Sequence, residues 1–158
     1  MKKIVSILRG LPSTGKSEYA DHFPHAVVCS ADDFFMKDGK YNFVGAQVPV
    51  AHQWCLGKFI DALNSLRKKD EALEEMIASR VEHIIVDNTN TMKWEYSNYI
   101  KLAVANGYDY EILNFNQNYR YHEPTDQELA DRNKHGVSAD GIKRMRERWE
   151  DDSREKFI

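Results

Sequence analysis

The segment GLPSTGKS, residues 10–17, has the spacing G-x-x-x-x-G-K-[ST], and each fixed residue type in it answers one need of a bound polyphosphate. Several negative charges must be met without long side chains crowding them, which the backbone N–H groups of a curled loop can do. Gly10 and Gly15 offer positive φ and close approach, with Ser13 and Thr14 between them. A helix starting at Gly15 would turn its free N–H groups and the positive end of its dipole toward the same phosphates. Lys16 adds a mobile cation across the β and γ phosphates, and the Ser17 hydroxyl is placed to ligate Mg²⁺. The expected ligand is ATP with magnesium, cradled by Gly10, Ser13, Thr14, Gly15, Lys16 and Ser17.

Acidic residues follow at two further points. EHIIVDNTN puts Asp87 at the carboxyl end of an apolar run, the edge at which open α/β sheets bind ligands. A carboxylate there can hold a magnesium water or the serine hydroxyl. Asn88, Thr89 and Asn90 either extend that polar rim or form a plain turn into a helix. CSADDFF sets Asp32 and Asp33 just past another apolar run. A phosphotransferase needs a group to take the proton of the attacking hydroxyl, and a carboxylate near the γ-phosphate can do so. A generic acidic turn is the other reading of the pair.

The elements that must carry these residues alternate. KIVSIL (3–8), AVVCS (26–30), EHIIVD (82–87) and DYEILNF (109–115) read as strands buried on both faces, with helices between them. The pattern predicts a three-layer α/β fold with a mainly parallel sheet. A first helix is expected from Gly15 to Phe23, before Pro24. A second runs from about Val50 to Ser79 with Trp54, Phe59, Ile60, Leu63 and Leu66 inward. A third begins at Met92, buries Tyr96, Ile100, Ala103 and Val104, and ends at Gly107. Thr125 and Glu128 form a capping box for a short helix to His135. A last helix after Ser138 stripes Ile142, Met145 and Trp149 inward.

Bulk properties narrow the function classes. The chain of 158 residues, 42% hydrophobic and 30% charged, suits one globular domain over residues 1–158. No apolar run approaches a membrane span, and Arg9 interrupts the N-terminal run before a signal-peptide core can form, so a cytoplasmic protein without membrane contact is expected. Cys29 and Cys55 lack metal or redox spacing and read as small buried hydrophobes, and no structural metal is expected. The net charge of −3 gives no global pull on nucleic acid. Residues 132–148 are locally basic, as an anion patch or as a solvated helix face. Phe34, Phe35, Tyr41 and Phe43 among Lys37 and Lys40 could stack bases, or could pin a loop to the core.

RGLPSTGKS, SADDFF, GKYNF, AHQWC, VDNTNTMKWE, ELADRNKHGVS and IKRMRERWE run in that order from Arg9 to Glu150. Together they resemble the P-loop polynucleotide 5′-hydroxyl kinase family, which includes the phage kinase domain and the kinase-like domain of the animal BCL-three-binding protein. The resemblance implies a P-loop NTPase kinase fold with a C-terminal helical lid over about residues 122–149. It implies catalytic roles for Asp32 as general base, for Lys16 on the ATP phosphates, and for Arg132 as a lid arginine over the nucleotide. Asp33, Asp87, Asn88, Asn90 and Phe35 fall on the substrate side, and Ser17 with Asp87 on the metal. Three positions depart from the family pattern. Ser13 replaces a second loop glycine, Phe35 stands where the phage enzyme has an arginine on the acceptor phosphate, and His135 lies nearest a missing second lid arginine. The implied acceptor is a DNA or RNA 5′ end, single-stranded or short. A small-molecule kinase and a nucleotide-gated binding module are the alternatives.

Overall fold

The computed structural model describes residues 2–73 and 81–158. In chain order the elements are β1 (Lys2–Arg9), α1 (Lys16–Asp21), β2 (Val27–Cys29), β3 (Met36–Lys37), β4 (Lys40–Tyr41), α2 (Val48–Leu73), β5 (Val81–Asp87), α3 (Lys93–Ala105), β6 (Asp109–Asn114), α4 (Asp126–Arg132), α5 (Ala139–Glu147) and β7 (Glu155–Phe157). Five strands form one sheet in the order β2-β5-β1-β6-β7, and every pairing in it is parallel. β3 and β4 make a separate antiparallel hairpin.

The alternation of side chains along β1 sorts the layers. Val5 and Ile7 point into the larger core, shared with Ala51, Cys55, Phe59 and Leu63 of α2 and Tyr96, Ile100 and Ala103 of α3. Leu8 points the other way, into a cluster with Ala20 of α1, Ile85, Leu113 and Phe115. Strands buried by helices on both faces explain the near-continuous apolar runs. The α/β three-layer expectation is therefore met. Cys29 and Cys55 are both free and buried.

Several helix boundaries and faces differ from the sequence reading. Trp54 and Ile60 are 40% and 38% exposed, because the inward stripe of α2 is Ala51, Cys55, Phe59, Ala62, Leu63 and Leu66, one residue out of phase with them. Val104 is exposed on α3, and Tyr99 is buried in its place. The stretch of the expected second helix from residue 74 to Ser79 lies outside the described residues. α4 ends at Arg132 rather than His135, and α5 ends before Trp149. The capping box at α4 forms as expected, with the Glu128 N–H donating to Thr125 Oγ1 at 3.2 Å and the Thr125 N–H to Glu128 Oε2 at 2.8 Å.

Arg9 has a larger part than strand end. It is fully buried, and Nε donates to the Asn90 carbonyl at 2.8 Å while Nη2 donates to those of Thr91 at 3.0 Å and Glu150 at 2.6 Å. Nη1 pairs with Glu155 at 2.7 Å, and the guanidinium lies over the Trp149 and Tyr96 rings. A buried charge is tolerated only when its donors are met in this way. Arg9 thereby ties the end of β1 to the loop after β5 and to the C-terminal segment. β7, three residues long without an apolar run, has no sequence signal of its own.

Candidate active site

The residues of interest gather at the carboxyl edge of the sheet, beyond β1, β2 and β5. The loop after β1 is fixed on both sides: the Gly10 N–H donates to the Thr89 carbonyl at 3.1 Å, and the Leu11 N–H to Asn116 Oδ1 at 2.8 Å. Gly15 has φ +96°, and a Cβ there would meet Asn118 Nδ2 at 2.9 Å. Gly10 does not have positive φ; it is required by space, since a Cβ would lie 2.6 Å from Thr14 Oγ1 and 3.0 Å from the Phe115 side chain. Ser13 takes φ +65°, so the loop accepts a side chain in the left-handed region.

Lys16 is buried, and its Nζ donates to the carbonyls of Gly10 at 2.9 Å and Leu11 at 3.0 Å. Burial pushes its pKa down, opposed by Asp87 and then Asp32. The Ser17 hydroxyl donates to Asp87 Oδ2 at 3.0 Å. Burial raises the Asp87 carboxyl, Lys16 and the Ser17 hydroxyl lower it, and Asp32 and Asp33 raise it again. A buried cation beside a half-buried carboxylate, with an exposed hydroxyl on that carboxylate, is an arrangement that could meet a metal-bound polyphosphate. Among the described residues no group of three His, Cys, Asp or Glu could hold a metal. Ser17 and Asp87 could supply two ligands to a hard cation whose remaining ligands would be waters or phosphate oxygens.

Asp32 sits in the short turn Ala31–Phe35 after β2, anchored by the Ala31 N–H on Asn88 Oδ1 at 2.9 Å. Its side chain is 54% exposed, with Oδ1 accepting from the Tyr41 hydroxyl at 3.2 Å and Oδ2 lying 3.7 Å from His135 Nε2. Asp33 pairs with Lys58 at 3.7 Å. On the other flank, Asn118 Nδ2 donates to the Thr14 carbonyl at 2.9 Å and opens a shallow surface cleft of about 550 Å³. Tyr119, Arg120, Tyr121 and Arg132 line that cleft. The α4–α5 pair is seated on the loop itself, since Leu11 is packed with Leu129 and Ile142 in a third apolar cluster.

Residues 5–151 match the family model described as AAA domain. The chain belongs to the AAA domain family. This AAA domain is 36% identical over 151 residues to NEDD4-binding protein 2 of Homo sapiens, covering 93% of the chain but only 8% of that relative. Solved structures similar to it include a gluconokinase from Sinorhizobium meliloti 1021, at 15% identity and TM-score 0.47 over 99% of this chain and 81% of that one. An APS kinase from Mycobacterium tuberculosis aligns at 13% identity and TM-score 0.37, over 92% of this chain and 98% of that one.

Of the expected site residues of this AAA domain only Arg132 lines that cleft, and three others are turned into the fold. Phe35 is 4% exposed and packs edge-on against Phe34 and Tyr41 and tilted against Phe43, so it pins the turn to the core. Asn88 is buried, with Oδ1 on Ala31 and Nδ2 3.6 Å from Cys55 Sγ. Asn90, at φ +48°, is buried with Nδ2 on the Leu8 carbonyl at 2.7 Å. Both asparagines fasten the loop by satisfying backbone groups. The basic segment is in part neutralised internally: Arg146 pairs with Glu123 and Asp126, and Lys143 lies 4.0 Å from Glu147. Tyr41 and His135, which the sequence reading gave no catalytic role, stand directly on Asp32. Among the described residues no helix is long and apolar enough to cross a membrane.

Proposed function

We propose that this AAA domain is an ATP- and magnesium-dependent kinase that moves the γ-phosphoryl group of ATP to the 5′-hydroxyl of a nucleic acid end. The observation that carries this reading is the Asp32 carboxylate. It is half-exposed at the carboxyl edge of the sheet and close enough to Lys16 and Asp87 to act on both electrostatically. A nucleotide switch has no use for a solvent-accessible base beside the phosphate loop, whereas transfer to an alcohol requires one.

Lys16 and the loop amides hold the phosphates, and Arg132 borders the cleft that receives the nucleoside end. Ser17 and Asp87 would hold the magnesium ion, which when bound would offset charge on the phosphates. Asp32 takes the proton as the acceptor O–H bond breaks and its oxygen bonds to the γ-phosphorus. The bond from that phosphorus to the bridging oxygen breaks, and its electron pair leaves with the diphosphate. α4 and α5 act as the lid, limiting the access of water.

The surface beside Asp32 favours an oligonucleotide over a small metabolite. Phe43 and Trp54 are 56% and 40% exposed, and the Tyr41 and Phe43 rings lie nearly parallel at 6.3 Å. Lys37 and Lys40 flank them on the hairpin. Such rings and cations stack bases and follow a phosphate backbone without reading sequence. The test is γ-labelled ATP offered with separate pools of 5′-hydroxyl oligodeoxynucleotides, oligoribonucleotides and small alcohol metabolites. Label in an oligonucleotide pool is expected. Label only in metabolites makes this a small-molecule kinase, and label in none makes it a nucleotide-gated binding module.

A further inference from the structure

His135 and Asp32 are 103 residues apart in the chain (135 minus 32) and belong to opposite walls of the site, yet their side chains meet at 3.7 Å. The contact is one of several that converge there. The His135 ring lies on the Tyr41 ring at 4.1 Å between centroids and 40° between planes. The Tyr41 hydroxyl meanwhile donates to the other oxygen of the same carboxylate. Each oxygen of Asp32 thus has one neighbour, and each keeps a lone pair open for an incoming hydroxyl.

The turn that presents His135 is itself built. Asn133 Oδ1 accepts from the backbone N–H groups of His135 at 2.8 Å and Val137 at 3.0 Å, and Gly136 at φ +73° closes the turn. Upstream, Leu129 locks α4 against Leu11 of the phosphate loop. The segment that brings His135 to Asp32 is thus the one whose helices are seated on that loop.

We propose that His135 is a positioning residue for Asp32, carried in on the lid, so that the base is held in line only when the lid is down over the nucleotide. The proposal rests on the kinase reading above. It gives the domain a means of coupling: closure over ATP completes the acceptor side, and an open lid leaves a less oriented carboxylate that activates stray water poorly. Tyr41 acts as the fixed half of the clamp and His135 as the movable half.

The test compares wild type, His135→Ala and His135→Gln on whichever alcohol the wild type phosphorylates. Glutamine restores an N–H donor at a similar reach. His135→Ala is expected to lower kcat by about tenfold to a hundredfold while the KM for ATP stays within roughly twofold, as for a misaligned reacting group. His135→Gln is expected to recover most of the loss. Unchanged kcat in His135→Ala, or a His135→Gln enzyme as slow as His135→Ala, overturns the proposal. If the wild type phosphorylates no alcohol, the kinase reading fails, and the pairing is judged separately by amide hydrogen exchange. Faster exchange in residues 31–43 of His135→Ala and in residues 133–137 of Asp32→Ala upholds it, and unchanged exchange in both overturns it.

Discussion

Leu11, inside the G-x-x-x-x-G-K-[ST] motif, packs against Leu129 of α4, so the loop proposed to hold the nucleotide and the α4–α5 pair share one apolar cluster. Both side chains are at most 2% exposed. Leu11→Ala should destabilise this small cluster by about 2 kcal/mol or more, the lower end for a buried leucine truncation. The loss should be local. Amide exchange over residues 126–147 should accelerate while β1 and β5 stay protected. Equal acceleration throughout the chain would mean that the cluster belongs to the main core.

Ser17 Oγ donates to Asp87 Oδ2 at 3.0 Å, and the two make the proposed magnesium site. Ser17→Ala removes one hydroxyl without emptying any part of the core, so the thermal midpoint should barely move. The magnesium concentration for half-maximal transfer should rise by about tenfold, since this ion takes few protein ligands and loses one of them. A metal titration of the steady-state rate reads this directly, and an unshifted curve would remove Ser17 from the site.

His83 gives the fold a pH dependence separate from catalysis. Its ring lies 2.8 Å from Ser6 Oγ, which donates to Glu111 at 2.6 Å, and it meets Phe23 edge-on. Burial holds the imidazole below its ordinary value of 6.5, while Glu111 pulls it partly back and Lys2 adds to the depression. The unfolded chain therefore takes the proton more readily. The contribution to stability is full above the ordinary value and is lost as pH falls from 6.5 toward the lower folded value. Urea midpoints should decline over that window in the wild type and decline less in His83→Gln. Parallel slopes would contradict the assignment.

What could be read from sequence depended on how local the signal was. The loop motif is contiguous, so its glycines, Lys16 and Ser17 could be read together as one candidate site. The α4 cap was legible because a capping box needs only four neighbouring residues. Asp32 and Asp87 were legible because an acid after an apolar run lies at a strand's carboxyl end. Side-chain direction within a short turn has no period to expose it, and that is why the sequence left Phe35, Asn88 and Asn90 open between substrate contacts and residues that hold the turns in place, as their side chains do. Arg9, β7 and the pairing of His135 with Asp32 depend on which distant segments fold together. No local pattern in the chain encodes those three.

The central claim is that Asp32 takes the proton of an acceptor hydroxyl in front of a phosphate held by Lys16. Asp32→Asn preserves shape and removes the base, and the decisive measurement is its rate of phosphoryl transfer to a 5′-hydroxyl oligonucleotide, alongside its affinity for ATP. The account predicts a rate lower by about a hundredfold to ten-thousandfold, the usual worth of a general base, with ATP affinity within roughly threefold of wild type. Transfer at close to the wild-type rate, with nucleotide binding intact, would contradict it.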